Sequence, residues 1–239
     1  MRRILCVLRR IGVLAACLLM ISAAAAERPF APLNETDAAK RALNLFCECA
    51  FHPEYGDADA ARLTRWEQEI TVWIGGSATQ EDLRTADRFL EELNTRVEGF
   101  PGIRRVRRDT DAAVRIWFVP EYLLGSYIEG YVQGNMGFFH FNEDRSFRIV
   151  SARIGIASDS TEQEERNHLL QEELVGALGL PGDHTRYTDS ILYDGWTTVQ
   201  TLCDADWRML NMLYRPELAP GQTEEQARET LRGVYGLRD

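Results

Sequence analysis

One helical pattern in the chain carries an acidic side chain among its apolar ones, and this feature constrains the fold more than any other. The helix follows residue 160 and can end at Gly179. At about 100° per residue, its apolar face consists of Leu170, Leu174, Ala177 and Leu178. Glu173 falls within that face, whereas Glu172 lies on the polar side. Because a buried carboxylate is costly unless it is paired, bound to a metal or protonated, the pattern predicts a structural or chemical role for Glu173.

The rest of the chain shows further helix and strand patterns. Helices are expected after candidate caps at Asn34 or Thr36, Ser77 or Thr79, Ser160 or Thr161, and Thr223. Strands are expected at residues 69–74, 113–119, 137–141 and 147–156. This order predicts an α+β domain, in which a mixed sheet of about four strands packs against helices and a helical layer follows near the carboxyl terminus.

The first 26 residues have the features of a secretory signal. Arginines precede an apolar run at residues 11–21, and a run of alanines ends at Ala26. The apolar run is shorter than the roughly 20 residues that a membrane-spanning helix needs. We therefore predict a signal peptide at residues 1–26 and a single mature domain at residues 27–239, periplasmic or secreted. The alternative is a lipobox ending at Cys17, which would make the protein a membrane-anchored lipoprotein.

Composition narrows the class of partner. The chain has 27 Lys and Arg against 37 Asp and Glu, which gives a formal net charge of −10. An acidic protein repels phosphate backbones, so nucleic acid is excluded as the main partner. Length and the absence of repeats or linkers favour one domain without a transmembrane span in the mature chain.

Three cysteines would remain after removal of the signal. An oxidising compartment favours disulfides, and an odd number allows at most one internal bridge. We predict a bridge from Cys203 to Cys47 or Cys49, which leaves one thiol.

Four arginines precede the strand at residues 113–119: Arg104, Arg105, Arg107 and Arg108. In an acidic chain they are expected to form a solvated loop edge, the alternative being a docking point for an anionic ligand or partner. The sequence contains no phosphate loop, dinucleotide fingerprint or serine-nucleophile elbow, which excludes the enzyme classes that depend on them.

The helix with Glu173 also carries a resemblance to known families. Residues 172–183, with the sequence EELVGALGLPGD, and residues 190–193 resemble the active-site helix, glycine turn and Met-turn of zincin metallopeptidases. The order of Trp66, a strand, this helix and residues 206–221 resembles the DUF2927 family still more closely. That family comprises exported proteobacterial proteins of unknown function, some described as lipoproteins. The resemblance covers most of residues 60–221 and implies a zincin-like fold with a cleft.

The zincin pattern has a zinc-binding histidine, a catalytic glutamate and two further histidines at defined positions. In this sequence the corresponding residues are Glu172, Glu173, Gly176 and Gly182. The resemblance therefore implies Glu173 as the candidate general base. It also implies a degenerate metal site and no resident cofactor, because zinc affinity falls drastically without the histidines.

A shifted zinc site is the alternative. His168 and Glu172 are four residues apart, so both could reach one ion, and His184 or Asp183 beyond the turn could complete its coordination. Glu173 would then activate a metal-bound water. Against this site, the His168 and Glu172 pair is predicted on the polar side of the helix, where such pairs are commonly solvated.

The same motif also has a purely structural interpretation. Gly179 allows a tight exit from the helix, and Tyr193 provides a large apolar anchor. Asp183 and Ser190 are expected to fix the turn by side-chain to backbone hydrogen bonds.

Two functional hypotheses follow from these residues. The first is a non-catalytic cell-envelope protein that binds a peptide, a wall fragment or a partner protein in the cleft. The second is an atypical metal-dependent hydrolase, a peptidase with Glu173 as its base.

Overall fold

The structure, a computed structural model, describes residues 35–55 and 61–237. The predicted signal peptide and the alternative anchor at Cys17 lie outside these residues. None of the helices described is long and apolar enough to cross a membrane. The elements, in chain order, are α1 (Glu35–Phe51), β1 (Ile70–Gly76), α2 (Gln80–Arg96), β2 (Ile103–Arg105), β3 (Val114–Val119), α3 (Leu124–Tyr127), β4 (Gly137–Glu143), β5 (Ile149–Ala157), α4 (Gln163–Ala177), α5 (Asp204–Leu213) and α6 (Glu224–Val234).

The predicted α+β class with a mixed sheet is confirmed, with five strands in the described residues rather than about four. The strand order is β2-β1-β3-β5-β4, and β4 runs antiparallel to β5 while the other neighbours are parallel. Alternate residues of the central strands, such as Val72, Ile116 and Ile154, are completely buried. This period-two burial places the core against one face of the sheet, where the long helices pack.

The fifth strand corrects the loop predicted at Arg104 and Arg105, whereas the predicted solvent exposure of the four arginines is confirmed. Arg104 and Arg105 belong to β2, at the sheet edge opposite β4. The Arg104 guanidinium lies 3.0 Å from Glu69, and that of Arg105 lies 3.2 Å from Asp87. These arginines are therefore paired with carboxylates of the same chain.

Capping residues set the helix ends. Of the two predicted caps of α2, Ser77 and Thr79, the cap is Thr79, which forms a reciprocal capping box with Asp82. At α4 the predicted caps are wrong, because the cap is Glu162, which forms its box with Glu165. The Thr161 hydroxyl instead donates to the Ala157 carbonyl oxygen at the end of β5.

α4 is enclosed on almost every side, which corrects the prediction of a polar face. It packs on β4, β5 and α2, and the segment before α5 covers its remaining side. His168, predicted on the polar side, is consequently only 4% exposed. The Gln171 side chain is also buried, and its amide donates to the Gln200 carbonyl oxygen of the covering segment.

The structure leaves Cys47, Cys49 and Cys203 as free thiols and does not form the predicted bridge. Cys47 and Cys49 are buried within α1, whereas the Cys203 side chain caps the amino terminus of α5. Burial raises the pKa of Cys47 and of Cys203 to about 12. The three thiols are therefore small core and capping groups in this fold.

Candidate functional site

A cavity of about 670 Å³ opens between β4 and α4. Four stretches contribute most of its lining: residues 53–55 after α1, residues 135–141 in and before β4, residues 168–173 of α4, and residues 193–197. We call this cavity the β4 cleft. Its size is within the range of pockets that hold small ligands.

Aromatic rings form part of the wall of the β4 cleft. The Phe138 ring lies 5.3 Å from that of Tyr55 and 5.6 Å from that of Tyr131. Phe139 and Phe141 stack with their centroids 6.2 Å apart. These contacts hold the wall in place independently of any ligand.

Two glycines bring β4 and α4 close together at the cleft. A Cβ atom on Gly176 of α4 would lie 2.4 Å from the Phe139 ring. A Cβ atom on Gly137 of β4 would lie 2.3 Å from Oε1 of Glu173. The absence of both Cβ atoms therefore lets the carboxyl group of Glu173 lie against the start of the edge strand.

Glu173 is buried without a partner. It is 8% exposed and lines the cleft. Among the residues that the structure describes, no side chain or backbone group forms a hydrogen bond or ion pair with it. Burial, followed by the nearby charges of Glu172, Asp183 and Glu54, raises its pKa well above the usual range. This environment therefore favours the neutral carboxylic acid of Glu173 over its carboxylate.

Asp183 shares this environment, which corrects its predicted role in the turn. Its side chain makes no hydrogen bond within the described part of the chain, and it lines the cleft instead. Burial, then the charges of Glu172, Glu54 and Asp194, raise its pKa to about 8. The pKa of Glu54 is also raised, mainly by burial.

His168 and Glu172 form the first part of the proposed zinc site. Nδ1 of His168 donates to the Val199 carbonyl oxygen at 2.9 Å, and its Nε2 lies 3.4 Å from Oε2 of Glu172. Burial is the largest single influence on the pKa of His168 and lowers it, but the hydrogen bond and charge of Glu172 and the hydrogen bond to Val199 together outweigh burial, so the pKa is raised overall. The predicted pair is present and partly enclosed.

His184, the third predicted ligand, does not join that pair. Its Nδ1 accepts from the Arg186 amide at 3.2 Å, so its Nε2 carries the proton and donates to Oγ of Ser190 at 3.1 Å. Burial lowers the pKa of His184, which favours this neutral form. Both ring nitrogens are therefore occupied by the protein itself.

The histidine belongs to a buried hydrogen-bonded network. The Ser190 hydroxyl donates to Asp206 at 2.5 Å, and Asp206 also accepts from the Ile191 and Cys203 amides. Ser190 is completely buried, so this serine is no nucleophile. The network ties the turn after α4 to the amino terminus of α5. Among the described residues, no group of three or more His, Cys, Asp or Glu is arranged to hold a metal ion.

Gly179 and Tyr193 lie at the two ends of that turn. Gly179 adopts a φ of 121°, and a Cβ atom there would lie 2.3 Å from the Thr64 carbonyl oxygen. Tyr193 forms an isolated bridge with His184 and lines the β4 cleft. These positions agree with a role in shaping the turn, and Tyr193 also contributes to the cleft wall.

Sequence reasoning missed Glu54, Tyr55 and the aromatic residues of β4 as parts of the site. Glu54 and Tyr55 are in an irregular segment with no periodic pattern, so no local signal identifies them. The run Phe138 to Phe141 did carry a signal, because a strand that is aromatic on both faces needs cover on both faces.

A family model and a solved structure each match most of the chain. The family model described as "Protein of unknown function (DUF2927)" matches residues 39–233. No match was found among curated proteins. A solved structure described as "Structure of Myroilysin" aligns with a TM-score of 0.41 and 14% sequence identity, covering 69% of this chain and 88% of that one.

Proposed function

The chain belongs to the DUF2927 family of proteins of unknown function, and we propose that it is a non-catalytic protein whose β4 cleft binds an extended polypeptide segment. The observation that carries this proposal is the free outer edge of β4 beside the cleft. Neither the family nor the structural alignment identifies a ligand.

β4 is an edge strand that pairs on one side, with β5. The Ala157 amide donates to the Met136 carbonyl oxygen at 2.7 Å, and the antiparallel ladder alternates from that pair onward. The N–H and C=O groups of Gly137, Phe139 and Phe141 therefore point away from β5. No backbone hydrogen bond from residues 35–55 or 61–237 satisfies these outward groups.

An extended peptide can satisfy such an edge by adding a strand. Main-chain hydrogen bonds then supply affinity, and pockets for alternate side chains supply specificity. Here the pocket is the β4 cleft, which begins at Gly137 and is walled by Phe138 and Tyr55. A peptide paired with β4 would direct every second side chain to the face on which the cleft lies.

The proposal also includes a more specific fold. We infer a zincin-like domain whose metal chemistry has been lost, a peptidase-like architecture retained for binding. The order of α4 with Glu173, the turn at Gly179 and the second turn at Ser190 supports it. The hydrogen bond between His184 and Ser190 supports the loss of metal binding, because it occupies a ring nitrogen of a candidate metal ligand.

A metal-dependent hydrolase is the second candidate, favoured by one observation. Nδ1 of His168 is held by a backbone carbonyl group, the arrangement that commonly orients a metal-ligating histidine, and Nε2 faces Glu172 next to Glu173. Zinc would be the metal, and Glu173 the base acting on its bound water. Metal analysis of the purified protein and of its His168→Ala variant tests this candidate, which requires about one zinc per chain, lost in the variant.

Hydrogen exchange tests the peptide-binding proposal. Blocked heptapeptides rich in Thr and Val would be added to the protein, and exchange of the outward amides of Gly137, Phe139 and Phe141 measured. Pairing predicts slower exchange at these amides and little change in β2 at the opposite edge. The matched control is the same peptide with N-methyl groups at alternate residues, which removes its donors on one side. Equal protection by both peptides would contradict strand addition, and hydrolysis of the peptides would contradict a non-catalytic function.

Export is a further part of the proposal. The arginines, apolar run and alanines of residues 1–26 support cleavage after Ala26 and a periplasmic or secreted location, with a lipoprotein anchored at Cys17 as the alternative. Intact-mass analysis of the protein from fractionated cells distinguishes them. A chain that begins at residue 27 supports cleavage, a lipidated chain that begins at Cys17 supports the anchor, and an unprocessed cytoplasmic chain contradicts both.

A further inference from the structure

We propose that the β4 cleft takes a cationic side chain, lysine or arginine, from the polypeptide segment that pairs with β4, and that Glu173 accepts its hydrogen bond. This inference rests on the proposed function and specifies the chemical class of the ligand. Three features of the cleft carry it: its charge, its unpartnered polar groups and its aromatic wall.

The charge of the lining is strongly acidic. The charges of Glu54, Glu172 and Asp183 act on Glu173, that of Asp194 acts on Asp183, and all four residues line the cleft. Their mutual repulsion is visible in the direction of their effects, since Glu172 raises the pKa of Asp183 and of Glu54. A cation entering the cleft would relieve this repulsion.

The cationic residues of the lining are already engaged. Nε2 of His168 faces Glu172, and Nε2 of His140 lies 3.7 Å from Glu129. The Arg62 guanidinium donates to the Ala61 carbonyl oxygen and has other contacts. The carboxyl group of Glu173 is therefore not paired with a cationic side chain of the described residues.

Two polar groups of the lining lack partners, and these point to a ligand independently of the acidic cluster. Glu173 is more than nine-tenths buried, with no hydrogen bond or ion pair among the described residues. The hydroxyl oxygen of Thr197 is also buried without a hydrogen-bond partner in that part of the chain. Buried polar groups are normally satisfied, so two orphans in one cavity indicate that the partner comes from outside. An ammonium or guanidinium group has several donors and can serve both oxygens.

The aromatic wall suits the same ligand. Tyr55, Phe138 and Trp196 line the cleft, and aromatic rings attract a nearby cation while covering its aliphatic stem. A metal ion fits these observations less well, because no cluster of three or more metal-ligating side chains exists among the described residues. The chemistry of the cleft is that of a pocket for a long basic side chain.

The test uses blocked heptapeptides, Thr-Val-Ser-X-Ser-Val-Thr, in which X is lysine, arginine, norleucine or glutamate. Norleucine has nearly the shape of lysine without the charge. Isothermal titration calorimetry with the purified protein should show the lysine and arginine peptides binding at least about tenfold more tightly than norleucine, since a hydrogen bond to a charged group is worth that factor. The glutamate peptide should bind most weakly.

Variants of Glu173 and Asp183 test whether these residues cause the preference for lysine over norleucine. Glu173→Gln should reduce the ratio of the lysine affinity to the norleucine affinity to near one. Asp183→Asn should reduce the ratio as well, and it carries the test alone if Glu173→Gln does not fold by circular dichroism. Glu91→Gln, on the exposed side of α2 away from the cleft, is the matched control and should leave the ratio unchanged.

The outcomes separate this inference from the proposed function. If lysine and norleucine peptides bind equally well, the cationic pocket is wrong while strand addition stands. If the ratio persists in both Glu173→Gln and Asp183→Asn, the cation is recognised elsewhere and the inference is likewise overturned. If no peptide binds, the proposed function is overturned and this inference with it.

Discussion

The two halves of α4 bury carboxylates in opposite ways. Near its amino terminus, α4 contributes Arg166, which contacts the completely buried Asp82 of α2. Near its carboxyl terminus, α4 contributes Glu173 itself, buried with no cation beside it. The same helix therefore contacts one buried carboxylate that is paired with a cation and contains another that is not. We interpret the paired carboxylate as structural and the unpaired one as available to a ligand.

The paired half shows what a satisfied carboxylate requires. Asp82 accepts hydrogen bonds from the Arg166 guanidinium, from the Thr79 amide at 2.7 Å and from the Gln163 amide at 2.7 Å. Burial alone would raise the pKa of Asp82, but these bonds outweigh it and lower the pKa overall. Glu173 has none of these compensations, so its pKa moves in the opposite direction.

The largest effect is expected when the paired half is made to resemble the unpaired one. Arg166→Met leaves Asp82 buried without its cation, and breaking a buried pair in this way costs about 3–5 kcal/mol. Urea unfolding of the variant measures the loss. Arg84→Met, which removes only an exposed pair with Glu81, is the matched control and should cost less than about 1 kcal/mol. A loss of stability in Arg166→Met no larger than that in the control would show that Asp82 does not depend on Arg166 for its burial.

A third buried carboxylate, that of Asp206, is satisfied without any cation. Its donors are the Ser190 hydroxyl and two backbone amides. Ser190→Ala removes the hydroxyl and leaves His184 and Asp206 each short of a partner, so we expect a loss of about 1–3 kcal/mol in the free energy of unfolding. Ser146→Ala, at an exposed turn, is the control. Equal stabilities of the two variants would show that the network does not hold the turn.

The free protein should become more stable when the unpaired carboxyl groups of Glu173 and Asp183 are removed. Glu173→Gln and Asp183→Asn are each expected to stabilise the free protein by about 0.5–2 kcal/mol at about pH 8, as is common where a functional site is relaxed. The sign follows from the raised pKa values: the folded protein retains protons that the unfolded chain releases, so its stability falls as pH rises from about 4 towards the folded pKa, about 8 for Asp183.

That gain should therefore shrink as pH falls towards about 4, where both states are protonated. Asp82 has the opposite dependence, because its lowered pKa contributes stability above the unfolded value of 3.8, and that contribution is lost on further acidification. Urea unfolding at several pH values measures both trends. A gain that is independent of pH would mean that Glu173 and Asp183 are not buried acids in solution.

The smallest effect is expected at the opposite edge of the sheet. Arg104→Ala removes the exposed pair with Glu69 in β2, and such pairs contribute about 0–1 kcal/mol. Peptide affinity should be unchanged, because this edge is remote from β4 in the strand order. Thermal unfolding and calorimetry measure these quantities, and weaker peptide binding in this variant would argue against β4 as the docking edge.

Local patterns were sufficient for most elements of the fold. α2 and α6 combine apolar periodicity with a threonine cap, and both begin after the predicted residues, Thr79 and Thr223. β2 could not be predicted, because the three residues Ile103–Arg105 are too short to show an alternation and pair only through β1.

The site was less accessible to sequence reasoning, because burial there is decided by distant segments. The position of Glu173 on a buried face follows from helical spacing alone. The enclosure of His168 depends on the segment around Val199, and the removal of His184 from the cleft depends on Ser190 and Asp206. No local pattern in α4 contains that information. The sequence therefore could not show that His184 lies apart from His168 and Glu172.

The packing of α1 has a consequence for how the chain acquires its structure. α1, near the start of the described residues, buries its apolar side against α5 and α6, near the end. Contacts between such distant segments slow folding, because a large part of the chain must be ordered before they form. As the polypeptide emerges from the ribosome, the apolar side of α1 lacks the cover of α5 and α6 until these helices have been synthesised. A chain that stops before Asp204 would therefore expose a continuous apolar surface and aggregate.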